Sequence, residues 1–364
     1  MSRPLPVIAA VLVLAAVTSM AWPSLADDSQ IPEPVVSESQ VDDPTPTSVP
    51  TPSEKVYWGA WIGSHLTGTE APWSMDAVTR FEQDAGKPLS IVNFSSPFAD
   101  CYSAPCRYYA FPAGPFTAIR DHGAIPFFSW GSNSQPSTDE FLLDDVIAGR
   151  HDAYLTQWAT AAKEWGHPFF LRFNWEMNTP WFPWTEGYPG NQPGQYVAAW
   201  RHVHDLFVRV GASNATWVWC PNVDREHRYQ PLAEVYPGDA YVDWTGLDGY
   251  SWGAPFESFT SIFKSTYDEI VGQIAPAKPM LVGETAAPEI GGSKAQWITD
   301  MFNALPVTFP RIRALLYFDK YDSGMDWPIE TSPAAQQAFA AGIASARYTT
   351  NTFGTLEGSP ILPP

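Results

Sequence analysis

The chain has 364 residues, of which 39 are Asp or Glu and 20 are Lys or Arg, for a formal net charge of −19. So acidic a balance argues against nucleic acid or an anionic membrane surface as partner and fits a soluble exported protein. Tryptophan occurs 17 times, and some of these rings must serve the core while others are available to a ligand.

Residues 1–26 carry Arg3, an apolar run from Val7 to Val17 and the small-x-small triplet Ser24-Leu25-Ala26. This reads as a secretory signal peptide, too short for an ordinary membrane span, with an uncleaved anchor as the alternative. Residues 27–54 are rich in Pro, Ser, Thr, Val, Asp and Glu and contain no aromatic ring. Such a stretch buries too little to offset its ordering entropy, so a disordered linker is expected. The expected location is extracellular.

Aromatics begin at Tyr57, and across 55–347 short apolar runs alternate with helical patterns. The runs at 57–63, 89–95, 124–130, 169–175, 216–221, 242–250, 280–284 and 314–318 read as strands. The stretches 74–85, 116–122, 141–165, 196–210, 259–274, 294–305 and 334–344 read as helices, with a weak piece near Leu232. Strands separated by helices pair in parallel through crossovers. Eight such units in roughly 290 residues predict a single (β/α)8 TIM barrel, a fold of about 250 residues before insertions. An open doubly wound sheet is the alternative, but no Gly-rich phosphate turn follows the first strand. Residues 348–364 are left as a C-terminal tail.

Cys101 and Cys106 enclose Tyr-Ser-Ala-Pro, and export makes a disulfide between them the expectation. Cys220 is then unpaired and reads as a small buried hydrophobe. No cysteine or histidine spacing suggests zinc.

In this barrel the active site forms at the C-terminal strand ends. The fourth run breaks into Leu171 to Trp184, LRFNWEMNTPWFPW, placing Glu176 at a strand end beside Arg172, Asn174 and Asn178. The seventh, PMLVGETAA, places Glu284 at its end. Strands four and seven face each other across such a barrel, so the two acids are expected to meet over its centre. Glycosidic hydrolysis needs two carboxyls, one protonated to help the leaving oxygen depart and one ionised to attack or to activate water. Loop tryptophans offer flat apolar faces on which a sugar ring stacks. Expected substrate contacts are Trp61, His65, Arg172, Trp175, Asn178, Trp181, Trp184, Trp219, Asn222, Tyr250, Trp252 and Trp327.

The motifs Trp175-Glu176-Met177-Asn178, Trp181-Phe182-Pro183-Trp184 and Val282-Gly283-Glu284-Thr285, with the Tyr196 to Val203 helix running into Trp217 to Asn222, resemble glycoside hydrolase family 26. The resemblance extends from Tyr57 to Ser345. It implies a β-mannanase-like retaining endo-glycanase with Glu176 as general acid/base and Glu284 as nucleophile. Tyr250 would hydrogen-bond that nucleophile, and Trp181 and Trp184 would wall the cleft. A histidine usually precedes the acid/base in the family, and here Trp175 stands in its place, which opens the choice among mannan, mixed-linkage glucan and xylan. No metal or organic cofactor is expected, and the partner is a polysaccharide met by a monomer. A non-catalytic carbohydrate-binding barrel and a barrel enzyme of other chemistry are the alternatives. A P-loop, a His-Glu-x-x-His helix and a Gly-x-Ser-x-Gly elbow are absent from the sequence.

Overall fold

The structure, a computed structural model, describes residues 54–223 and 230–364. The signal peptide and all but the last residue of the linker read from the sequence lie outside the described residues. The strands of the main sheet are β1 (Tyr57–Ile62), β2 (Ile91–Asp100), β3 (Arg107–Tyr108), β4 (Ile125–Gln135), β5 (Phe169–Phe173), β6 (Ala215–Trp219), β7 (Trp244–Tyr250), β8 (Met280–Ala286) and β9 (Ile312–Asp319). All except β3 pair in parallel with their neighbours, and β1 pairs with both β2 and β9, which closes the sheet into a barrel. β3 is a short antiparallel addition to β2, on the loop that the Cys101–Cys106 disulfide pins.

Strands such as FFLRF in β5 and MLVGETA in β8 are buried at every position, because a parallel barrel covers both faces of its sheet. The outer layer includes α1 (Met75–Ala85), α2 (Ala113–Asp121), α3 (Leu143–Ile147), α4 (Asp152–Trp165), α5 (Gln195–Val210), α6 (Phe259–Glu269), α7 (Lys294–Thr308) and α8 (Pro333–Ile343). In α1 the buried residues Ala77, Val78, Phe81 and Ala85 form one stripe, and Gly86 ends the helix at φ 72°, where a side chain would be strained. Between helices and sheet the packing is largely aromatic. Trp130 on β4 stacks on Trp158 of α4 with centroids 4.3 Å apart, and each ring so buried contributes roughly 2–3 kcal/mol.

The stretch 141–165, expected as one helix, is split into α3 and α4. The break falls at Gly149, whose φ of 75° suits glycine, followed by Arg150 and the His151 cap. Residues 348–364, set apart as a tail, lie against the barrel floor. Ile361 is buried in one cluster with Tyr57, Ile91, Phe127, Phe170, Trp244 and Leu281, the apolar filling of the barrel's N-terminal half. Trp244 donates to the Ile361 carbonyl at 2.7 Å, and the Ile361 amide donates to Thr216 Oγ1 at 2.8 Å. With the floor apolar and plugged, the polar side chains of the interior gather at the opposite mouth.

Candidate active site

The polar centre begins on β5. Phe170 fills the floor, and two residues on, Arg172 points into the same interior with no exposed surface. Its guanidinium donates from Nε to Ser129 Oγ at 2.9 Å and from Nη1 to both oxygens of Asp248 at 3.0 and 2.9 Å. From Nη2 it donates to Glu284 Oε1. The Ser129 hydroxyl in turn donates to Asn93 Oδ1 at 3.0 Å. Burial disfavours the Arg172 charge, but Asp248 and Glu284 outweigh that and hold it protonated. Gly283 makes the cluster possible, since a Cβ there would sit 2.5 Å from Asp248 Oδ1 and 2.8 Å from Cys220 Sγ. Cys220 is buried and unpaired, and its thiol donates to Asp248 at 3.2 Å.

Glu284 reaches this centre through an irregularity. The β7–β8 register runs Leu247 to Val282, then Asp248 to Glu284, which leaves Gly283 opposite neither. A bulge of this kind re-aims the following side chain. Glu284 Oε2 accepts from the Tyr250 hydroxyl while Oε1 accepts from Arg172, so donors address both oxygens, the surroundings of a carboxylate.

Glu176 stands beyond the end of β5, where Asn174 and Glu176 both take left-handed backbone angles, φ 44° and 53°. Such strain costs on the order of 1–3 kcal/mol per residue and persists only where neighbours enforce it. Here Ser132 N donates to Asn174 Oδ1 at 2.7 Å, Tyr196 OH to Asn174 O at 3.1 Å, and Glu176 N to Cys220 O at 2.8 Å. The carboxyl accepts from Asn222 Nδ2 at 2.6 Å and from Trp181 Nε1 at 3.0 Å. Burial, and then the negative charge of Glu284, push its pKa up to about 7, against the lowering effect of those two donors and of Arg172. The charge of Glu284 bears on Glu176 because the two carboxyls share one electrostatic environment.

Several of the expected substrate contacts need correcting. Arg172 is spent on Ser129, Asp248 and Glu284 and shows no surface to a ligand. Trp219 is wholly buried and donates to Val235 O at 2.9 Å on the helical side of the sheet. Trp184 is buried, stacked on Phe182 at 4.5 Å, and donates to Trp175 O at 2.7 Å, so it buttresses Trp175. Trp327 is buried too, stacked on Tyr250 at 4.7 Å. Asn178 is buried and locks Asn222 through two hydrogen bonds of 2.9 Å, so the pair positions Glu176. His65 is occupied with Asp319 and Glu330 at 3.4 and 2.5 Å. Burial disfavours its charge, yet the two acids lift its pKa to about 9.

The mouth keeps half-buried Trp61 and Trp175, Tyr250, and the exposed rings of Trp181 and Trp252. Trp61 lies beneath Lys320 Nζ, 5.4 Å from its centroid, and Trp252 meets Trp327 edge-on at 5.1 Å. Ser129 was missed as a site residue, because nothing in linear spacing reveals which strand residues surround a buried guanidinium. Trp73 is a further exposed ring that the expected contacts do not include. It is 57% exposed in the loop after β1, edge-on to Phe94, and an isolated loop tryptophan was its signal.

A closed parallel barrel, with one carboxyl biased toward its protonated form and another surrounded by donors at a mouth hung with aromatic rings, has the make-up of a glycoside hydrolase. Comparison with known proteins agrees. A family model described as Glycosyl hydrolase family 26 matches residues 132–302, a span that contains both glutamates. Endoglucanase H of Acetivibrio thermocellus is 33% identical over 299 residues, 79% of this chain and 30% of that protein. A mannan endo-1,4-beta-mannosidase of Bacillus subtilis is 28% identical over 282 residues, 72% of this chain and 69% of that protein. The solved structure of Bacillus subtilis mannanase man26 superposes with a TM-score of 0.58 at 19% identity, covering 86% of this chain and 91% of that one, which supports the fold. Together these likenesses support a place in glycosyl hydrolase family 26. It spans less than a third of the length of Endoglucanase H. Among the described residues no helix is long and apolar enough to cross a membrane.

Proposed function

We propose that the chain is a secreted retaining endo-β-glycanase acting on a β-linked plant-type polysaccharide, with β-1,4-mannan as the first substrate. The observation that carries this reading is Glu176 held near pKa 7 by burial and by the charge of Glu284. Glu176 protonates the glycosidic oxygen as Glu284 attacks the anomeric carbon, and the leaving sugar departs with the proton. Glu176, now a carboxylate, then takes a proton from water as that water cleaves the glycosyl ester and frees Glu284. Arg172 and Tyr250 hold Glu284 in line through both its oxygens, and Asp248 fixes Arg172 from below.

A mixed-linkage β-glucan is the second reading, and Trp175 favours it. Its indole lies over the Arg172 guanidinium at 5.1 Å and packs on Phe182 and Trp184. It therefore brings one donor and no acceptor to a place where the family usually has histidine. An axial sugar hydroxyl that gives its proton to that histidine has no partner here, which weakens discrimination in favour of mannose. The name of the Acetivibrio relative points the same way.

Reducing-sugar release from soluble mannan, mixed-linkage glucan and xylan distinguishes the substrates. On the preferred one, Glu176→Gln and Glu284→Gln each lose turnover by at least the ~10²–10⁴ that a positioned acid or base contributes. A variant with near wild-type turnover removes its residue from the assignment. Binding of all three polymers without hydrolysis leaves the non-catalytic barrel as the reading.

A further inference from the structure

A second group of ionisable side chains joins the first and last strands of the barrel at its mouth. His65 lies in the single turn after β1, Asp319 ends β9, and Glu330 lies in the short turn Ile329–Thr331. One nitrogen or oxygen from each falls within 4.8 Å of the others. His65 Nε2 is 3.4 Å from Asp319 Oδ2 and 2.5 Å from Glu330 Oε1. The three are drawn together by charge, the two acids holding His65 toward its protonated form. His65 Nε2, Asp319 Oδ2 and both Glu330 carboxyl oxygens are buried atoms without a hydrogen-bond partner.

Buried polar atoms that converge unsatisfied call for a specific explanation. Two carboxylates against a single imidazolium leave a negative charge in excess, which the Lys294 charge offsets only from a distance, because the hydrogen bonds of the neighbouring lysines go elsewhere. Lys294 donates to Pro328 O at 2.9 Å and Thr331 Oγ1 at 2.7 Å, and Lys320 turns to Glu70 and the face of Trp61. Asp319 is wholly buried, and its other oxygen accepts from Ile329 N at 2.8 Å. That bond fixes the carboxylate plane and leaves Oδ2 aimed at His65, the kind of outer contact that orients a metal ligand.

We propose that His65, Asp319 and Glu330 bind one divalent transition-metal ion, zinc by its donor set, clamping the first strand-to-helix loop of the barrel to the last. One imidazole nitrogen with two carboxylate oxygens suits zinc and leaves a fourth position for water. Zinc bonds of about 2.0–2.1 Å set tetrahedral ligand atoms roughly 3.3 Å apart. The Nε2 to Oδ2 separation of 3.4 Å already matches that spacing. Glu330, on a short and partly exposed turn, draws back slightly from Nε2 to admit the ion. Nε2 releases its proton to solvent on binding. The ion sits three residues from Trp327, whose ring backs Tyr250, and steadies that side of the mouth while taking no part in bond cleavage.

The test uses the full chain, stripped with EDTA and dialysed, then titrated with Zn²⁺ by calorimetry, with Mn²⁺ and Ca²⁺ in parallel and Tm recorded for each. The expected result is one Zn²⁺ per chain and a rise in Tm that EDTA reverses. His65→Ala and Glu330→Gln each weaken binding at least ~10-fold, the lower end for loss of a metal-site contact. Circular dichroism of the metal-free variants checks that they fold. Failure of folded wild-type protein to bind zinc overturns the proposal. So do equal zinc binding by wild type and both variants, and binding of calcium in place of zinc.

Discussion

At Glu176 the balance of burial against hydrogen bonding determines what the chain can do and over what pH range. Its carboxyl is pushed up to about 7, from the 4.5 of an unperturbed glutamate, because burial and Glu284 both disfavour its charge. The kcat/KM of the proposed hydrolysis therefore falls above pH 7 as the acid loses its proton, and a pH–rate profile shows it as the alkaline limb. Asn222 favours the charged form, so Asn222→Ala moves that limb to higher pH and lowers kcat at pH 6 by about tenfold, the effect of losing ~1.4 kcal/mol of contact. The same shift has a stability consequence. Between pH 4.5 and 7 the folded chain keeps a proton that the unfolded chain has lost, so stability declines as pH rises through that window. Glu176→Gln, neutral throughout, is then more stable than wild type above pH 7 by up to about 3 kcal/mol at ~1.4 kcal/mol per unit. The gap closes toward pH 4.5, and urea denaturation at pH 5 and 8 measures it. The two glutamates were legible because each follows an apolar run. The direction of Arg172 was not, because facing inward and facing a ligand leave the same trace in sequence.

Among the elements, the segment that follows β5 distinguishes ligand contacts from packing more sharply than composition does. Trp181 is 52% exposed yet holds Glu176 by its indole nitrogen, while Trp219 has no exposure at all. Trp219→Ala is expected to destabilise the fold by about 3–5 kcal/mol, the range for deleting a core tryptophan. Trp181→Ala leaves Tm within a degree or two and acts on KM and on the pH–rate profile instead. Thermal melts beside initial-rate kinetics separate the two cases, and the reverse pattern contradicts the assignment. Both residues sit in aromatic runs bounded by turn-forming residues, so only their placement relative to the sheet tells them apart. The helix broken at Gly149 was misread for a related reason: Ala148, Gly149 and Arg150 interrupt an amphipathic pattern that resumes in phase after His151.

For the whole molecule, periodicity revealed eight strands and their order but not the floor. Residues 348–364 contain few apolar side chains, and only the closed barrel gives Ile361 a place to bury. Deleting 357–364 uncovers Trp244 and Tyr57 and removes the acceptors of Trp244 Nε1, Tyr57 OH and Arg313 Nη2. At ~1 kcal/mol per lost bond and ~2 for the isoleucine, the truncated chain should lose about 4–5 kcal/mol, read by urea denaturation, with kcat at 25 °C unchanged. The mouth and the floor thus divide the barrel into a reactive end and a supporting end, and the central claim concerns the first. The most direct test follows the anomeric configuration of newly released ends by proton NMR during the first minutes of hydrolysis of the preferred polysaccharide. Glu284 attacking and Glu176 serving as acid and then base predict that the β-anomer appears first and mutarotates later. First appearance of the α-anomer would contradict the account, because it would mean that water, and not Glu284, attacks the sugar.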